Sequence, residues 1–150
     1  MRWEETNSLT IKSSNVDLVT ETDEIAEQLI VEIIHSNYPT HQIIGEESSG
    51  ADCHYTLTDQ PTWTIDPIDG TTNFVHRLGL SCVLIAFLYN KQVQVGVTYN
   101  PSNEEMFWAI RGQGAFLETR DGITRQIHTS STTEISQALV AMDPGYGRDE

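Results

Sequence analysis

Positive charge is what this chain lacks most. Its 150 residues hold 8 Lys and Arg against 22 Asp and Glu, a formal net charge of −14. A surface that acidic repels nucleic acids and anionic membranes, so neither is an expected partner. It also repels phosphate groups unless bound cations reverse the local field, so any phosphate chemistry here must recruit metal. Cysteine is scarce as well. Cys53 and Cys82 lie far apart, without the paired spacing of a zinc site, and two thiols make no disulfide framework. A reducing compartment is the default for such a chain. The N-terminus, Met1-Arg2-Trp3-Glu4-Glu5, has no apolar signal core. The longest apolar run, Cys82–Tyr89, is too short to span a bilayer. Asn100 is followed by Pro101, and no other Asn-x-Ser/Thr acceptor occurs. Together these absences point to the cytoplasm.

What remains is ordinary globular composition, 38% apolar and 20% charged, enough for one domain with a modest core. Residues 1–20 are polar and end in the strand-like Asp17-Leu18-Val19-Thr20. Thr20-Glu21-Thr22-Asp23-Glu24 then reads as a helix start, with Thr20 as cap and acids in the first turn. Ile25, Leu29 and Ile33 on one row, and Ala26, Ile30 and Ile34 on the next, predict the apolar face. Asn37-Tyr38-Pro39 ends the helix, because proline disfavours helical backbone in the residue before it. Gln42–Gly45 reads as a short buried strand running into Glu46-Glu47-Ser48-Ser49-Gly50, and 51–61 as a polar loop. Residues 62–65 form another strand, ending in Asp66.

From Leu80 the pattern becomes an antiparallel meander. Strands are expected over 80–89, 92–99 and 105–110, joined by turns at Asn90-Lys91 and Pro101-Ser102-Asn103. These apolar strands are expected to be core. Phe116-Leu117-Glu118 and 123–127 flank an Asp121-Gly122 turn. Ser130-Ser131-Thr132-Thr133-Glu134 is expected to open a short helix and 138–142 to begin a last strand. The sheet is expected to be left with an uncovered face and an open edge, features that favour aggregation.

The chemistry lies in Asp66-Pro67-Ile68-Asp69-Gly70-Thr71-Thr72-Asn73. Pro67 holds Asp66 extended, and Asp66 and Asp69 can converge across a tight turn with the Ile68 carbonyl on the same side. Magnesium takes hard oxygen ligands of this kind; zinc would want His or Cys, and none is near. Gly70 allows close approach of the backbone, and the amides of Gly70, Thr71 and Thr72 lie at a turn or helix start, where anions bind. A metal pair beside such amides suits phosphate hydrolysis, where metals activate water and stabilise the leaving oxygen. Asp-Pro-x-Asp-Gly is also an ordinary turn sequence. The following Thr-Thr-Asn, the preceding strand and a second acidic pair, Glu46-Glu47, also at a strand end, favour the metal reading.

Asp66 through Phe74 resembles, without a gap, the first motif of the inositol monophosphatase family. Three further stretches resemble that family in the same order: Lys12 through Asp17-Leu18-Val19-Thr20 to Asp23, then Ile44-Gly45-Glu46-Glu47-Ser48, then Gly112-Gln113-Gly114-Ala115-Phe116. The resemblance implies an α/β fold, a layered α+β sandwich of the sugar-phosphatase type, here a helix on the antiparallel portion of the sheet. It implies Mg2+ as cofactor and a small phosphorylated polyol as substrate, with hydrolysis of inositol monophosphate as the parent reaction. Glu46 and Asp66, with the Ile68 carbonyl, would hold one metal; Asp66 and Asp69 would share a second. Thr71, bonded to Asp23, and Glu46 would position and activate the attacking water; the alternative for Asp23 is that it only stabilises its helix N-terminus. The amides of Gly70 and Thr71 would hold phosphate, and Asp69 would also face a sugar hydroxyl. Lys12 is expected to be an exposed loop residue or, as the resemblance allows, to stand near the site; Glu47 is expected to stand behind the site or face solvent, and His76 and Arg77 to pack or bond locally.

The family's second motif, Trp-Asp-x-Ala-Ala-Gly, does not occur; Trp3, Trp63 and Trp108 are each followed by another residue. The expectation is therefore an incomplete domain over 1–150, truncated at both ends relative to the family and weak or inactive by itself. Full-length members are commonly homodimers. The competing expectations are a related phosphatase acting on a sugar bisphosphate or nucleotide 3′-phosphate, and a non-catalytic truncated product that binds metal or dimerises. The Asn73-Phe74-Val75-His76 stretch favours the inositol enzymes.

Overall fold

Glu21, Asp23 and Glu24 occupy the first turn of helix α1 (Glu21–Asn37), where the helix dipole favours negative charge. The computed structural model describes residues 9–11, 18–49 and 55–141, with 9–11 and 18–20 as backbone only. Lys12, Asp17, Cys53, His54 and Met142, all named above, lie outside the described residues. Strands β1 (Leu9–Ile11) and β2 (Leu18–Thr20) pair antiparallel and lead directly into α1.

The main sheet has seven strands in the order β3-β4-β5-β6-β7-β8-β9. These are β3 (Gln42–Gly45), β4 (Thr62–Asp69), β5 (Cys82–Tyr89), β6 (Gln92–Asn100), β7 (Glu105–Ile110), β8 (Gly114–Glu118) and β9 (Thr124–Ile127). From β4 onward every neighbouring pair is antiparallel, as the alternating apolar pattern and close turns predict. Asn90 and Lys91 both take positive φ, 50° and 60°, the geometry that a two-residue hairpin turn needs. β3 departs from the antiparallel expectation, because it runs parallel to β4 with Gly45 beside Ile65. It is also an edge strand rather than a buried one: Gln42 is exposed and only Gly45 is fully buried.

Helix α1 packs against β4, and the short helix α2 (Glu46–Ser49) packs against α1, β3 and β4. The face of α1 that meets them is half the predicted one: of the two expected rows, Ala26, Ile30 and Ile34 turn inward and the other does not. Ile25, Leu29 and Ile33 are 51%, 55% and 65% exposed, whereas Asp23, Glu27 and Ile34 are buried. Asp23, Glu27 and Ile34 are buried on one row with the half-buried Ile30, so two acids have taken inward positions. Helix α3 (Thr71–Val75) follows β4 directly and packs against β2.

Of the last two predicted elements one is reduced and the other is absent over its described part. Residues 128–134 are irregular and a single 3-10 turn, Ile135–Gln137, takes the place of the expected helix. The described part of the expected last strand, 138–141, is not a strand, and Leu139 is fully exposed. Among the described residues no strand pairs with it, and an extended segment without a ladder partner is not a strand. The core is thin: the meander strands are mostly half-buried, and the buried apolar side chains among the described residues are Ile34, Ile65, Pro67, Leu88 and Leu117. No described helix is long and apolar enough to cross a membrane.

Candidate metal centre

The motif forms where a strand slips. β4 pairs Asp66 with Leu84 and next Asp69 with Cys82, a step of three residues opposite a step of two on β5. Pro67, which has no N–H to donate, lies where the ladder breaks, a position that bulges tolerate, and one extra residue is accommodated there. In a regular strand, residues three apart point to opposite faces. The bulge instead sets Asp66 and Asp69 opposite Leu84 and Cys82, two residues apart on β5, and so on one face. The sequence predicted convergence across a tight turn; convergence comes from a slipped strand.

Parallel pairing delivers the third acid. Because Gly45 lies beside Ile65, Glu46 emerges from the end of β3 next to Asp66. The side chains of Glu46 and Asp66 share a hydrogen bond. Burial, then the charge of Glu46, that hydrogen bond and the charge of Asp69 push the Asp66 carboxyl from 3.8 up to about 7, against an opposing bond from the Ile68 backbone. Asp66 Oδ1 is buried and has no hydrogen-bond partner. Asp69 is exposed, and its Oδ2 accepts a 3.6 Å bond from the Cys82 thiol. Glu46 and Asp66 border an open cleft of about 530 Å³, whose lining includes Tyr55, Leu84 and Thr98.

Thr71, the first residue of α3, has two acceptors in reach. Its hydroxyl lies 3.1 Å from the Ile68 carbonyl and 3.5 Å from Asp23 Oδ1. Asp23 is 1% exposed, held in the first turn of α1. Gly70, which precedes α3, is left-handed at φ 83°, and a Cβ there would stand 2.8 Å from the Leu80 carbonyl oxygen. Asn73 fixes that same carbonyl with a 2.9 Å bond from Nδ2, which ties the motif to the segment entering β5.

A cation suits this arrangement. An unpartnered buried carboxylate oxygen, beside a second carboxylate and near a third, gathers negative charge that hard oxygen-seeking ions offset. Glu46 and Asp66 meet, and Asp69 stands close enough to raise Asp66. Among the described residues no set of three or more His, Cys, Asp or Glu side chains is drawn into a single ion's coordination sphere. His76 and Arg77 are exposed at the end of α3, Arg77 with φ 58°.

Two residues at the site escaped the sequence reading. Cys82 touches Asp69, and only the strand register shows it. Glu27 binds the backbone of α2, accepting from the Glu47 and Ser48 amides at 2.8 Å each. Its signal was present: an acid four residues after Asp23 on a row that ends in Ile30 and Ile34.

The inositol monophosphatase family model matches residues 2–149. The chain is similar to inositol monophosphatase 3 of Solanum lycopersicum, 45% identical over 135 residues that cover 90% of this chain and 48% of that protein. It is similar in structure to an IMPase of Thermotoga maritima, with TM-score 0.71 and 33% identity over 86% of this chain and 46% of that one. A further similar structure is an IMPase/NADP phosphatase complexed with Mg2+ and phosphate, with TM-score 0.66 and 31% identity over 78% of this chain and 42% of that one. The chain spans about half the length of the curated relatives it matches.

Proposed function

The chain belongs to the inositol monophosphatase family, and from that premise we propose that it carries the metal-binding and water-activating part of a Mg2+-dependent phosphatase that converts inositol monophosphate to inositol and phosphate. The observation behind this is the buried, unpartnered Oδ1 of Asp66, crowded by Glu46 and Asp69.

Glu46, Asp66 and the Ile68 carbonyl would hold one Mg2+, and Asp66 with Asp69 a second. When bound, Mg2+ supplies Lewis-acid activation of water and charge neutralisation on the phosphoryl and leaving oxygens. The chain's own groups do the rest. The Thr71 hydroxyl has one proton and two acceptors, Ile68 O and Asp23 Oδ1. With its hydroxyl donating a hydrogen bond to Asp23, Thr71 Oγ1 turns a lone pair to accept from the attacking water, and a carboxylate oxygen of Glu46 takes the water's other proton. The Gly70 and Thr71 amides orient the phosphate. Asp69 accepts from a hydroxyl of the polyol.

Phosphate release from inositol monophosphate by the protein carrying this chain should require Mg2+ and fall to background in Asp66→Asn. Release that persists in that variant, or without divalent ions, contradicts the proposal. The similar structure described as an IMPase/NADP phosphatase favours one second reading, a nucleotide phosphate as the substrate. Comparing inositol monophosphate with nucleotide phosphates at equal Mg2+ separates the two.

A further inference from the structure

Helix α2 has four residues, Glu46–Ser49, too few to sustain itself by helical hydrogen bonding. Its first residue is Glu46, so the placing of Glu46 depends on whatever fixes this turn. The position before it, which would normally supply a capping side chain, is Gly45, which has none. The cap comes from another element. Glu27, from the middle of α1, accepts the Glu47 amide on Oε2 and the Ser48 amide on Oε1, both at 2.8 Å. Glu27 is 4% exposed. A Cβ built on Gly45 would lie 2.4 Å from Glu27 Cδ and 2.5 Å from both its carboxylate oxygens. The carboxylate thus occupies the space left by the missing side chain.

A buried carboxylate is expensive unless it is well bonded, and charge-assisted bonds to two amides are the kind that offset burial. A solvent-exposed turn of four residues has no need of so costly an anchor; one that must hold a carboxylate against another carboxylate does. Asp23 and Glu27 stand four residues apart, on one row of α1. The first faces Thr71 and the second binds α2, so a single helix holds both walls of the site.

We propose that Glu27 is a positioning residue: by clamping the Glu47 and Ser48 amides into the space above Gly45, it holds the Glu46 carboxylate against Asp66 in the orientation that receives the cation. This rests on the reading of Glu46 as a Mg2+ ligand. Supporting groups of this kind typically change metal affinity or activity by about 10–100-fold when removed.

The test is calorimetric titration of Mg2+ into the protein carrying this chain, with thermal melting measured in parallel. Glu27→Gln should weaken Mg2+ binding by about 10–100-fold, and should raise the Mg2+ activation constant far more than the KM for phosphate substrate at saturating Mg2+. Gly45→Ala keeps the Glu27 charge but displaces the carboxylate, and should weaken Mg2+ in the same way; it decides the matter if Glu27→Gln does not fold. Glu27→Gln combined with Glu46→Gln should bind no more weakly than Glu46→Gln alone, because one acts through the other. Unchanged Mg2+ affinity in a folded Glu27→Gln protein, with Glu46→Gln impaired, overturns the role of Glu27 alone. Unchanged affinity in Glu46→Gln overturns the ligand reading and this inference with it.

Discussion

Asp66 and Asp69 share one face of β4 because the ladder to β5 slips by a residue between them, pairing Asp66 with Leu84 and Asp69 with Cys82. A regular strand would send the two carboxylates to opposite faces. The slip therefore makes a two-carboxylate site out of a strand end, and Pro67, which has no N–H to donate, stands where the ladder breaks. The same register brings the Cys82 thiol against Asp69.

Gly70→Ala tests how tightly the motif is bound to the segment entering β5. Alanine at φ 83° is strained, and its Cβ would meet the backbone oxygen of Leu80 at 2.8 Å, an atom that Asn73 also holds. The variant should lose about 1–3 kcal/mol of stability in denaturant unfolding. A loss within error of zero would show that the backbone there relaxes freely.

Stability of the metal-free protein should fall as pH rises. The folded-state value of Asp66, about 7, lies above the ordinary 3.8, so near pH 5 the folded chain holds a proton that the unfolded chain has released. The stabilisation from that proton is fully present below about pH 3.8 and is lost as pH rises through about pH 7. Melting temperature in the presence of chelator should therefore drop between about pH 5 and pH 8, with a shallower drop in Asp66→Asn. Equal slopes in the two proteins contradict the assignment.

Cys82 should be a slow nucleophile. Burial first, then the charge of Asp69, its hydrogen bond and the charge of Asp66 push the thiol from 9.0 up to about 11. That leaves about 100-fold less thiolate than an unperturbed thiol at neutral pH. Alkylation followed by peptide mapping should find Cys82 nearly unreacted when a small thiol is consumed, and faster in Asp69→Asn. Rapid labelling of the unsubstituted protein contradicts the environment described.

Thr71→Val removes the hydroxyl that lies between Asp23 and Ile68. It should lower kcat by about 100-fold or more while leaving Mg2+ affinity near the unsubstituted value, because the lost group acts on water. Asp23→Asn should lower kcat in the same direction. Loss of Mg2+ affinity with kcat preserved would move Thr71 from water activation to metal binding.

Local pattern made much of this fold legible. The meander strands and their turns fall within one or two residues of the expected bounds, because alternation and turn chemistry are written in adjacent residues. The contiguous motif made Asp66, Ile68, Asp69, Gly70 and Thr71 readable as a unit. What was misread depends on distant partners. Periodicity offers two neighbouring apolar rows on α1, and it cannot know that Asp23 and Glu27 are called inward by Thr71 and α2 while Ile25, Leu29 and Ile33 remain exposed. The parallel placement of β3, which brings Glu46 to Asp66, joins residues twenty positions apart and leaves no trace in either segment. The strand expected over 138–142 has the right residues, but among the described residues it has no neighbour to pair with.

The most direct measurement is Mg2+ binding by titration calorimetry to the protein carrying this chain, unsubstituted and as Asp66→Asn. Asp66 is the carboxylate shared between both proposed metal positions and the one whose buried oxygen has no partner. Binding by the unsubstituted protein, released by chelator and abolished in Asp66→Asn with the fold retained, is the predicted result. Equal Mg2+ affinity in the two proteins would contradict the assignment of this strand end as the metal centre.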